Sequence, residues 1–333
     1  MKRPWHPWLT LGLSLTVLLG GMAWVSLTAL QLDAVQDASR RGAAREAKVR
    51  LALWRMDSAL APLISQENAQ PYFAYSPFSP AERAYTKMFQ KLEHGEVLVP
   101  SPLLTATSPY ILLHFQFGPD GALTSPQVPT GNMRDLAESG YTTHEKIGAS
   151  ATRLADLAKR VKHASLLSLL PRKTSPVLAV PSSKSHRQKA AVPGTSQQAQ
   201  TSVEWAARVQ RTRQAYNIGQ TASPTQAKDL PGSDVPKVGG EPMQPLWLDG
   251  TLLLARRVSV NGADYAQGCW LDWPAVRKWL LNDVRDLLPQ ARLEAVKSDG
   301  EMDPSRMLAG LPVRLVPGPM VVPRCTTLSP VDV

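Results

Sequence analysis

The chain has 333 residues, enough for one large domain or two ordinary ones, and a net charge of +10. Arg153 to Lys228 holds thirteen Lys/Arg against two acids (Asp156, Glu204), a surplus of eleven that leaves about −1 for everything else. The basic character therefore belongs to one segment, which argues against a folded nucleic-acid face. The two cysteines, Cys269 and Cys325, have no C-x-x-C and no Cys/His ligand spacing, which argues against structural zinc.

In chain order, residues 1–7 form a short basic start, with Lys2 and Arg3, before an apolar run from Trp8 to Leu30. A helix of about 23 residues at 1.5 Å per residue can cross a hydrocarbon core of about 30 Å. Trp5, Trp8 and Trp24 suit interfacial positions. The run exceeds the 7–15 residues usual for a signal-peptide core, so the expectation is a transmembrane anchor over 8–30. Lys2 and Arg3 then place the N-terminus in the cytoplasm. The bulk of a single-pass inner-membrane protein would lie outside it, with the lipid bilayer as one partner. If the chain is exported, Cys269 and Cys325 can pair; otherwise they are two separate thiols, with Cys269 buried in a strand.

Residues 31–69 read as a long juxtamembrane helix, rich in Ala, Leu, Arg, Glu and Gln. Its apolar residues at 49, 53, 56, 60 and 63–64 make a helical stripe, with Trp54 beside it and Arg55 and Asp57 off it. Ser79, Pro80 and Glu82 resemble a helix start. Residues 110–117 predict an apolar strand, Gly118–Gly121 a turn, and 122–128 the returning strand. Residues 134–164 look helical in pieces.

The stretch 171–245, rich in Pro, Ser, Gln and Lys, lacks a lasting period and predicts a disordered basic insertion, with a transient helix over 203–216. A basic tail of this kind suits anionic lipid or wall polymer, or serves as a solvated linker. Structure resumes over 246–318. Asn261-Gly262 between two strands is a hairpin signal. Asp272 then caps a helix from Trp273-Pro274, whose stripe includes Val276, Trp279, Leu280 and Val284. "ARLEAV" and "LPVRLVPG" predict two further strands, and 319–333 an unstructured end. The tryptophans Trp270, Trp273 and Trp279 are expected to close the corner between strand and helix, with a pocket contact as the second reading.

The chain contains no G-x-S-x-G, P-loop, G-x-G-x-x-G or H-E-x-x-H signature. His114 reads as a core histidine, and Asp57 and Asp272 as capping or ion-pairing groups rather than a carboxylate pair. No catalytic residue, metal site or cofactor is assigned.

The order of elements suits an α+β, PAS-like or Cache-like sensor domain around an antiparallel sheet. Seven stretches sharpen this: "ALWRMDSALAPLISQE", "QPYFAYSPFSPAERAYTKMF", "EVLVPSPLL", "LLHFQFGPDGALTSPQVPTG", "ARRVSVNGADYAQGCWLDWPAVRKWLL", "DLLPQARLEAV" and "LAGLPVRLVPG". In order and spacing they resemble the N-terminal sensor half of membrane two-component histidine kinases from planctomycete-type bacteria, over residues 10–165 and 245–318. That family continues with a second span, an H-E-L-R-T-P-like box and an ATP-binding domain. This chain reaches Val333 without them and is expected to be an input module, not catalytic by itself. The resemblance implies an extracytoplasmic stimulus or ligand and a homodimer through the long helix, with no nucleic-acid partner. By analogy, ligand contacts fall to Trp54, Arg55 and Asp57 on the helix and to Arg256, Arg257 and Trp270 on the sheet. The alternative reading is a membrane-anchored envelope scaffold whose basic insertion holds an anionic partner.

Overall fold

The structure is a computed structural model that describes residues 6–80, 97–171, 202–214, 238–296 and 303–319. It is mixed α+β with an antiparallel sheet. Two compact units are present, Met1–Leu51 and Ala52–Val333. One helix, α1 (His6–Asn68), is continuous over 63 residues. It forms the first unit and contributes its C-terminal part to the second.

The expected transmembrane span over 8–30 does not stand. Among the described residues, no helix is long and apolar enough to cross a membrane. The stretch is diluted by Ser14, Thr16, Gly20, Gly21, Ser26 and Thr28. Two of these turn their hydroxyls back onto the helix, Thr16 to the Leu13 carbonyl and Thr28 to those of Trp24 and Val25. There is no boundary between a span and a juxtamembrane helix; α1 runs straight through Leu32 into the charged residues that follow. The single-pass placement and the bilayer partner rested on that span.

The second unit is built on a sheet in the order β4 (Leu123–Thr124), β3 (Ile111–Phe117), β8 (Ala263–Leu271), β7 (Thr251–Val260) and β5 (Val238–Gly240). Strand β6 (Gln244–Leu248) also pairs with β7. Asp249-Gly250 joins β6 to β7, and Asn261-Gly262 joins β7 to β8. All four residues have positive φ (45° and 73°, 51° and 86°), as a two-residue type I′ hairpin requires. The Asn-Gly signal was legible; the Asp-Gly turn carries the same chemistry and adds a hairpin. The returning strand after Gly121 is shorter than expected, with only Leu123 and Thr124 paired.

Side chains alternate across a strand, so register sorts the sheet into two faces. Leu113 lies opposite Trp270, which lies opposite Leu253; Phe115, Gly268 and Ala255 form the next row. This face packs on Leu157 and Val161, from α3 (His144–Arg160) and its end, and on Leu166 and Leu170, from α4 (His163–Leu169) and its end. Gly268 is required here, because a Cβ would strike the Leu254 carbonyl oxygen. On the other face, His114, Cys269 and Leu254 form one row and Gln116, Gln267 and Arg256 the next. That polar face meets the C-terminal turns of α1.

Helix α2 (Asn132–Gly140) precedes α3, whose N-cap Thr143 accepts from the Lys146 amide. Asp272 caps α6 (Trp273–Asp283) by accepting from the Ala275 amide at 3.2 Å, as its sequence position predicts. Strands β9 (Arg292–Ala295) and β10 (Val313–Val316) pair antiparallel. Ser79 and Pro80 belong not to a helix start but to β1 (Phe78–Pro80), paired with β2 (Leu98–Pro100); Glu82 lies outside the described residues. Of the segment 171–245, the described parts are ordered. Residues 202–214 form a helix, α5, and β5 and the start of β6 follow. Helix α5 is held by a buried ion pair that a transient helix would lack.

Candidate functional site

The stripe on α1 continues through its last turns, with Ala52, Leu53, Met56, Leu60 and Ile64 all at most 1% exposed. Two acids lie on the same buried side. Asp57 follows Leu53 by four residues and Glu67 follows Ile64 by three, so helical geometry points both inward.

Asp57 is fully partnered. One oxygen meets Arg208 of α5 at 2.9 Å; the other accepts the Ala309 and Gly310 amides at 2.9 and 3.2 Å. Arg208 also donates to the Met307 carbonyl and lies over the Trp205 ring. Burial still outweighs these partners and raises the Asp57 carboxyl above its ordinary value.

Glu67 lies in a second polar layer, between α1 and the sheet. Its carboxylate meets His114 Nε2 at 3.0 Å, both side chains being about 4% exposed or less. A carboxylate only accepts, so Nε2 carries the proton. His114 Nδ1 is buried without a hydrogen-bond partner. Next to this dyad, Asn68 accepts from the Met243 amide at 2.7 Å. Arg256 donates to the Asn68 and Gln70 carbonyls and to Gln267 Oε1, with its guanidinium over the Tyr75 ring. Gln267 in turn bridges the Tyr72 carbonyl and Gln116. Burial lowers the Arg256 value, an effect that Tyr75 and Glu67 oppose. Burial also pushes the Tyr75 hydroxyl and the Cys269 thiol well up, so both stay protonated.

The Glu67 layer opens outward. A groove of about 430 Å³ has α1 residues Pro62, Leu63, Gln66 and Glu67 along one side and the segment Thr107 to Ile111, with Trp279, along the other. Tyr110 and Trp279 stack at 4.4 Å, 19° from parallel. A register irregularity between Ile111 and Leu113 lies at this end of β3, and the Asp272 amide donates to the Tyr110 carbonyl at 2.8 Å. Such irregularities re-aim side chains at sheet edges. The resulting set, one carboxylate, an amide, two hydroxyl residues and an aromatic wall, is suited to recognition.

The residues expected to touch ligand are dispersed. Trp54 and Arg55 line a shallower groove of about 490 Å³ on α1, where Arg55 binds both oxygens of Asp286 at 2.9 Å. Asp57 is committed to Arg208, and Arg256 is in the polar layer behind the Glu67 groove. Arg257 and Trp270 share the opposite face: Arg257 donates to the Leu167 carbonyl, and Arg160 lies over the Trp270 ring at 5.9 Å. The three tryptophans also separate. Trp270 packs on the α3–α4 core, Trp273 meets Trp247 edge-on, and of the three only Trp279 reaches the groove beside Glu67. Cys269 is a buried free thiol in β8, and Cys325 lies outside the described residues.

Glu67, Tyr110 and Trp279 were not singled out as ligand contacts. The signal for Glu67 was its place on the continued stripe. Among the described residues, no cluster of three or more His, Cys, Asp or Glu is arranged to hold a metal ion. The chain matches no protein-family model, no curated protein and no solved structure.

Proposed function

We propose that the chain is a signal-input module of the two-component sensor histidine kinase kind, with a PAS-like or Cache-like sheet domain as its receiver. One observation carries this reading: α1 is itself a wall of the groove. An occupant at Pro62, Leu63, Gln66 and Glu67 therefore acts directly on the helix. Pro62 has no amide hydrogen, so the helix lacks one backbone hydrogen bond beside the groove. The sheet order supports the receiver assignment, since its first hairpin, β3–β4, is set beside the last strand, β8.

A stimulus shifts such a module only by binding one of two arrangements better than the other. The two arrangements differ in how the end of α1 is held by Glu67, Asn68 and their partners on the sheet. The test is amide hydrogen exchange on the full chain, with and without pooled small metabolites. A ligand that binds should change protection over residues 52–68. Ligands that bind while leaving this stretch unchanged would overturn the reading. Its kinase half is tested by sequencing the transcript across codon 333 and its neighbours, where a core with an H-E-L-R-T-P-like box is expected.

A further inference from the structure

We propose that the groove between α1 and the Tyr110–Trp279 pair takes an organic cation, held by an ammonium-to-carboxylate contact with Glu67. This deepens the input-module reading and rests on it.

The two buried acids of α1 are compensated differently. Asp57 has a guanidinium and two amides. Among the described residues, Glu67, equally buried, has the His114 ring as its only hydrogen-bond partner, at 3.0 Å. A buried carboxylate with a single hydrogen-bond donor is poorly compensated. Arg256 is a buried cation that Glu67 attracts, but its hydrogen bonds go to the Asn68 and Gln70 carbonyls and to Gln267, and it is not among the described residues lining the groove. Among the described residues, no Lys, Arg or His lines it either, and Glu67 is its one charged group. Aromatic rings beside a carboxylate suit an ammonium whose carbon body is apolar, because rings attract cations and cover the alkyl part. An anion would face Glu67 unscreened. A neutral ligand would put no cation against Glu67 inside the groove.

The experiment uses the full chain and three probes of one shape: cyclohexylmethylammonium, cyclohexylmethanol and cyclohexanecarboxylate. Binding is read by calorimetry at neutral pH and by Trp279 fluorescence. The ammonium is expected to bind at least about tenfold tighter than the alcohol, and the carboxylate weakest. Glu67→Gln keeps an acceptor for His114, so the fold should persist, and it should remove the ammonium's advantage. Equal binding of ammonium and alcohol, or an ammonium preference that survives Glu67→Gln, overturns the cation assignment. If the alcohol binds and alters exchange over 52–68, the input-module reading stands while the cation proposal falls. If the ammonium binds with the expected charge preference and 52–68 is unmoved, the cation proposal stands while the input-module reading falls. If none of the probes perturbs Trp279, the cation proposal falls.

Discussion

Asp57 and Glu67 are two carboxylates on the same side of the same helix, at nearly the same burial, and their surroundings differ in kind. Asp57 is closed over by Arg208 and two backbone amides and joins α1 to α5 and to the 303–310 segment. Glu67 has one side-chain partner, His114, and borders a groove. A buried charge that is fully answered stabilises one arrangement. A buried carboxylate answered by one ring is costly to maintain, and fits a position whose remaining partner arrives from outside.

The contrast breaks most visibly at Asp57. Asp57→Ala leaves the Arg208 guanidinium buried without its anion and should cost about 3–5 kcal/mol in urea unfolding. Converting both partners, Asp57→Leu with Arg208→Met, should recover part of that loss, because two matched apolar groups replace a desolvated pair. Strict additivity of the single and double changes would show that the pair is uncoupled. Glu67→Ala should cost less, about 1–3 kcal/mol, since it strands only the His114 N–H.

Protonation sharpens the same comparison. The Asp57 carboxyl lies above its ordinary 3.8, chiefly through burial. As pH rises past 3.8 the unfolded chain releases this proton first. The contribution is therefore fully present below 3.8 and lost as pH climbs through the folded value. Unfolding free energies of the wild type and Asp57→Asn, measured from pH 3.5 to 6, should diverge progressively as pH rises. Parallel curves would mean that the Asp57 value is not raised.

Much of the scaffold was legible locally. Strand β3, the Asn261-Gly262 turn, the Asp272 cap and the separate strands β9 and β10 each follow from residues within a few positions of one another, whereas the pairing of β9 with β10 does not. The buried polar groups were not. Asp57 reads as lying off the stripe, yet it follows Leu53 by four residues and precedes Leu60 by three, so it shares the buried side. Its partner Arg208 is 151 residues away, in a segment whose composition suggests disorder. The polar face of the sheet was hidden for a related reason. "TLLLARRVSV" is buried along most of its length, so no inward-outward alternation appears, and Arg256 and Arg257 reach opposite faces through register alone. Ser79-Pro80 misled because a capping pattern cannot report that β2 is waiting to pair.

The smallest expected effect discriminates most sharply. Glu67→Gln preserves shape and still offers an oxygen to His114 Nε2, so unfolding should change by no more than about 0.5 kcal/mol. The matching change at Asp57, to Asn, turns an amide N–H2 or a neutral oxygen toward a guanidinium that needs charge, and should cost several times more. Thermal melts of the two variants, run side by side, decide the matter. If both are mild, Asp57 is not the lock that its partners suggest. If both are severe, Glu67 is held by the fold as tightly as Asp57, and its place beside the groove is incidental. A severe Asp57→Asn with a mild Glu67→Gln means that one carboxylate fixes α1 while the other leaves its charge to be met by what enters beside Trp279.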